Sequence, residues 1–82
     1  MKIINFFVGE YNITINKQEN IFAVKINTKD FWLVGTEKNV VSFLKNKKNI
    51  KKIFSRGMRK LWIGENGSVE GAMPDNSPIV GL

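Results

Sequence analysis

Hydrophobic and polar residues alternate with period two over the first third of the chain, and that alternation predicts strands. In YNITINK, Tyr11, Ile13 and Ile15 fall on one side and Asn12, Thr14 and Asn16 on the other. IFAVKIN repeats the pattern, with Phe22, Val24 and Ile26 inward and Lys25 and Asn27 outward. Successive side chains of a strand point to opposite faces, so the pattern belongs to a sheet with one buried face. The polar QEN between the two runs has hairpin length, and KIINFFV supplies a strand before them. TKD then turns the chain into FWLVG, which alternates less and reads as a strand covered on both faces. Four strands in succession, over residues 1–35, make an antiparallel meander.

The period changes after Gly35. Thr36 is placed to N-cap a helix, and Glu37 suits the positive end of the helix dipole. Val40, Phe43 and Leu44 follow i, i+3, i+4 spacing, with Val41 at the margin of the stripe. An unbroken helix would carry Lys47 into that stripe. A break is therefore expected around Asn46–Asn49, with Asn49 as a second N-cap. The second short helix turns Ile50, Ile53 and Phe54 inward and ends on Gly57 in the left-handed conformation. Residues 36–57 thus form a basic helical segment of one or two helices.

Residues 58–71 read as a hairpin: MRKLWIG, a turn at Asn66–Gly67, and SVEG as the return strand. The two prolines of the remaining AMPDNSPIVGL exclude a regular helix. Residues 72–82 are an extended tail, whose Ile79, Val80 and Leu82 dock on the same domain or add to a sheet edge of a partner or second copy. The expected fold class is α+β in a single domain, 1–82. Its parts are a small antiparallel sheet (the four-strand meander), one or two short helices, and a C-terminal β-hairpin with an extended tail.

Composition changes the picture mainly by exclusion. A chain of 82 residues with 43% hydrophobic residues and nine aromatics is of globular type, and at this size folding buries about 60–65% of the unfolded surface. There is no cysteine and no histidine. Disulfides, thiolate metal sites, Ser-His and Cys-His nucleophile pairs and the usual general base are all excluded. No glycine-rich phosphate loop of known pattern occurs. The carboxylates are scattered through predicted turns, and Glu65 and Glu70, flanking one hairpin turn, read as solvated turn residues. The expectation is a non-enzyme with no cofactor and no metal. MKIINFFVGE starts like a signal peptide, but Asn5 interrupts the run and Glu10 stands where a cleavage site would be. With no apolar stretch of membrane-spanning length, the expected location is the cytoplasm, or the host cytoplasm for a phage-encoded chain.

Charge is the one feature that points to a partner. The net charge is +6, yet residues 45–60, KNKKNIKKIFSRGMRK, hold eight basic residues and no acidic one. The other five basic residues and all seven acidic ones leave the rest of the chain at −2. Eleven lysines, ten asparagines and ten isoleucines share AT-rich codons, so base composition accounts for the amount of lysine but not for its clustering. The candidate binding residues are Lys45, Lys47, Lys48, Lys51, Lys52, Arg56, Arg59 and Lys60. Trp62 joins them as a base-stacking platform, on the strand face of Lys60. Phe31 and Trp32 are adjacent in a strand, so only one of them enters the main core.

Two classes of partner follow. One is nucleic acid, or a nucleic-acid–protein complex, held without sequence specificity and with some preference for single strands. The other is an acidic protein surface, met by a stoichiometric inhibitor or adaptor of the phage or mobile-element kind that blocks, for example, a nucleic-acid-processing enzyme or a defence ribonucleoprotein. A homo-oligomer formed through a sheet edge or the tail is a third arrangement, and no membrane is involved.

Overall fold

The computed structural model describes residues 2–75, and one six-stranded sheet carries them. The strands are β1 (Lys2–Val8), β2 (Tyr11–Gln18), β3 (Ile21–Ile26), β4 (Lys29–Val34), β5 (Met58–Ile63) and β6 (Val69–Pro74), in that spatial order. Helices α1 (Glu37–Leu44) and α2 (Lys47–Arg56) lie between β4 and β5 in the chain. The fold is α+β. The meander β1–β4 is antiparallel throughout, while β5 joins it parallel to β4, with Trp32 opposite Lys60 and Val34 opposite Trp62. A parallel neighbour requires a crossover of about a dozen residues or more, and the two helices supply it. The C-terminal hairpin is therefore part of the same sheet, which has six strands and not four.

Register follows the alternation. Ile13 pairs with Phe6 and Ile26, and Ile15 with Ile4 and Val24, so one face is apolar across the meander. Phe22, Phe31, Leu33, Leu61 and Ile63 extend that face, and Val40, Phe43, Leu44, Ile50 and Ile53 close it from the helices. All are buried, and each such side chain contributes roughly 1.5–3 kcal/mol of transfer free energy.

Local signals set the helix ends. Thr36 Oγ1 accepts from the Asn39 amide at 3.2 Å, and Gly57 closes α2 at φ 60°, ψ 57°, where a β-carbon would be strained. The break falls within the expected Asn46–Asn49 stretch, at its first residue. Asn46, not Asn49, caps α2, its Oδ1 accepting from the Lys48 amide at 3.0 Å. Asn49 sits inside α2 and donates from Nδ2 to the Phe43 carbonyl at 2.9 Å, tying the helices together. Restarting the helix at Lys47 resets its phase, so Lys47 is exposed instead of entering the apolar stripe.

Other boundaries also differ. The β3–β4 turn is at Asn27, which takes φ 54°, so Lys29 and Asp30 belong to β4. The return strand runs on to Pro74, which puts residues 72–74 in β6 instead of the tail. β6 is an edge strand, where a residue lacking an amide hydrogen is tolerated. Phe54 does not enter the core: it is 41% exposed and stacks on Tyr11 at 5.8 Å between ring centroids. Among the described residues the strand FWLVG is covered on one side only, burying Phe31 and leaving Trp32 37% exposed. Ile79, Val80 and Leu82 of the expected tail lie outside the described residues. Among the described residues no helix is long and apolar enough to cross a membrane.

Candidate functional site

The basic segment divides between two surfaces. Helix α2, KKNIKKIFSR, places Ile50 and Ile53 against the sheet and turns Lys48, Lys51 and Lys52 outward, with Lys47 and Arg56 on its flanks. Lys47 leans over the β1–β2 turn, its Nζ 4.0 Å from Glu10. Arg56 and Lys52 rim a shallow crevice of about 190 Å³ between α2 and the β5–β6 hairpin. Lys45 follows α1, its Nζ 5.4 Å from the centre of the Phe6 ring. These six cations sit on the helical layer.

Apart from Arg56, whose place in the last turn suits the dipole, the charge on α2 is placed against the helix's own stability. Five of its ten residues are basic, and its first turn has no acidic residue. Lys47 and Lys48 occupy the end where the helix dipole is already positive. Lys47/Lys51, Lys48/Lys51, Lys48/Lys52 and Lys52/Arg56 are like-charge pairs at helical neighbour spacing, each unfavourable by about 0.2–0.5 kcal/mol before salt screening. Together with the dipole they cost roughly 1–3 kcal/mol. That is a large share of the total for a domain with about 0.05–0.15 kcal/mol of stability per residue.

Arg59, Lys60 and Trp62 are elsewhere. The chain crosses from the helical layer into the sheet at Gly57, and β5 turns these residues to the sheet's opposite face, away from the helices. A β-bulge does part of this: from Met58 to Lys60 the partner strand advances only from Pro74 to Met73, so Arg59 is the extra residue. Arg59 and Lys60, adjacent in sequence, thereby reach the same face. Arg59 donates to the Met73 sulfur at 3.1 Å and lines an open depression of about 380 Å³ with Thr14, Asn16, Lys25, Asp30 and Trp32. Lys60 stands opposite Trp32 and holds its Nζ 5.0 Å from the centre of the Trp62 ring. Trp62 is half-buried, its ring lying on the bare Cα of Gly71, where a β-carbon would meet Cε3 at 3.3 Å.

Lys45, Lys47, Lys48, Lys51, Lys52 and Arg56 are thus brought together, and so are Arg59, Lys60 and Trp62, but the two groups are on opposite layers. The continuous band expected from the sequence is interrupted at Gly57. Trp32 and Lys25 belong with the second group and were not among the candidates. The alternation that puts Phe31 and Val24 inward is the signal that assigns both to this face. Comparison with family models, with curated proteins and with solved structures finds no match for this chain.

Proposed function

We propose that the protein is a non-catalytic nucleic-acid-binding protein whose helix α2 lies along phosphates. The observation that carries this reading is the crowded positive charge of α2, of which only Lys47 has an acidic neighbour among the described residues, Glu10 at 4.0 Å. That crowding is a cost to the helix that a polyanion would relieve. Lysines act there as flexible point charges, giving affinity with little sequence discrimination. Five contacts, from Lys47, Lys48, Lys51, Lys52 and Arg56, correspond to a log–log salt slope near about −4.5 on duplex DNA. Affinity then falls a few-hundred-fold, in order of magnitude, between about 50 and 200 mM salt. Fluorescence anisotropy with labelled duplex and single-stranded oligonucleotides tests this. Binding at low salt is expected to be lost both at high salt and in the variant with Lys47, Lys48, Lys51 and Lys52 changed to Glu. No binding by the native protein at 50 mM salt, as an order-of-magnitude threshold, rejects the proposal.

A second reading, a stoichiometric protein-binding inhibitor or adaptor, is favoured by one specific feature. Edge strand β1 exposes Ile3 at 63% and Phe7 at 68% beside a backbone edge that no described strand pairs with. A partner could add a strand there, or a second copy could pair edge to edge. Changing Ile3 and Phe7 to Ser, which leaves the net charge as it is, separates the readings: nucleic-acid affinity is unchanged under the first, and partner or self-association is lost under the second.

A further inference from the structure

We propose that the helix-free face of the sheet binds unpaired nucleotides, with Trp32 and Trp62 stacking on bases and Arg59, Lys60 and Lys25 taking the adjoining phosphates. This rests on the nucleic-acid reading above and names a ligand class that α2 alone would not select.

The face has the chemistry such a ligand needs. Among the described residues nothing packs over it, in contrast to the opposite face, which α1 and α2 close. Trp32 lies on β4 and Trp62 on β5, displaced by two residues along the strands. With strands about 4.8 Å apart and a rise of about 3.3 Å per residue, the two backbone positions are about 8 Å apart. Two rings at that separation can each receive one base, and every base offers a π face, so the platform does not depend on sequence. Asp30 and Glu70 partly offset the three cations here: Asp30 faces Lys25 across the β3–β4 pair, and the Glu70 carboxylate lies over Gly64 at the Trp62 end of the face. Arg59 and Lys60 have no acidic partner among the described residues. The Lys60 ammonium rests over the Trp62 ring, where a base would displace it toward a phosphate. The depression beside Trp32 has a volume at the lower end of that seen for ligand sites. Its wall includes Asn16, whose Oδ1 is buried and makes no hydrogen bond.

The two surfaces can also serve one strand. Arg56 ends α2 and Arg59 faces the sheet's open side, and three residues of chain span at most about 11 Å. A phosphate path thus runs from the helical layer around the Gly57 end of the sheet. Asp75, the acidic residue beside Gly57, is already paired with Lys29 at 2.9 Å.

Trp32 and Trp62 are the only tryptophans in the chain, so intrinsic fluorescence reports on this face and not on α2. In the free 82-residue chain, acrylamide should quench a substantial part of the emission. Titration with an oligothymidylate at low salt should quench it further, in step with anisotropy. Trp32→Leu and Trp62→Leu should each weaken single-strand binding about tenfold, the scale of one stacked base, while leaving duplex affinity unchanged. Oligothymidylate binding seen by anisotropy without any change in emission overturns the inference and leaves the α2 reading standing. Absence of binding to either oligonucleotide overturns both. Emission already shielded from acrylamide, whether at all protein concentrations (cover by residues 76–82) or only at high ones (cover by a second copy), also overturns it.

Discussion

Helices α1 and α2 do the same structural work with opposite electrostatics. Each buries a short apolar stripe on the sheet, Val40, Phe43 and Leu44 from one and Ile50 and Ile53 from the other. At 8 and 10 residues neither is long enough to be stable alone in water, so both depend on that packing. Helix α1 follows the rules of an isolated helix: Thr36 caps it, Glu37 faces the positive dipole end, and Lys2 reaches Glu37 at 2.9 Å. Helix α2 has a cap in Asn46, a glycine stop and Arg56 in its last turn, yet puts Lys47 where α1 puts Glu37 and crowds four lysines along its length. Backbone signals and burial account for both helices, and α2's charge is left over. A surface that lowers stability without serving the fold is the natural place to look for function.

If the two helices carry the core equally, truncating either should have the largest effect. Leu44→Ala in α1 and Ile53→Ala in α2 should each destabilise the protein by about 2–5 kcal/mol in denaturant unfolding. A much smaller loss for Ile53 would mean that α2 is only loosely docked. The caps come next: Thr36→Ala and Asn46→Ala should cost about 1 kcal/mol each by the same measurement. The smallest effects separate the helices most cleanly, because they differ in sign. Glu37→Lys should lower stability by about 0.5–1 kcal/mol, while Lys48→Glu should raise it by a similar amount. The latter gain combines an acid at the dipole's positive end with a Glu–Lys pair to Lys52. Thermal melts at low and high salt should show both effects shrinking as screening increases.

Much of the fold was legible because period-two and period-3.6 patterns depend on burial. The inward sets Ile13–Ile15, Phe22–Val24–Ile26 and Val40–Phe43–Leu44, the Thr36 cap and the Gly57 stop are all read directly from the chain. Partnering was not legible. The residues of β5 predict a strand, but nothing in MRKLWI says that it pairs parallel to β4 instead of standing apart with β6. The break within Asn46–Asn49 was legible, but its cap was not, because Asn46 and Asn49 are equally good caps by type. Which one caps depends on Asn49 reaching the Phe43 carbonyl, a tertiary contact. For the binding surface, linear continuity misled. Arg56 and Arg59 are near neighbours in sequence, but a left-handed glycine and a bulge lie between them, and the bulge is a two-against-one count with β6 that no single strand's sequence contains. Trp32 was legible only as one of an adjacent aromatic pair, and its exposure follows from a side of the sheet that no other described element covers.

The central claim is that the charge of α2 costs the fold stability and serves a polyanion. It is tested most directly by melting the native protein and the variant with Lys47, Lys48, Lys51 and Lys52 changed to Gln, each with and without a short duplex oligonucleotide at low salt. Without DNA the variant should melt about 4–8 °C higher, the shift expected for about 1 kcal/mol in a domain of this size. With DNA the native protein should gain stability through binding, and the variant should gain little. A variant that melts no higher than the native protein, or that is stabilised by DNA to the same extent, would contradict the account.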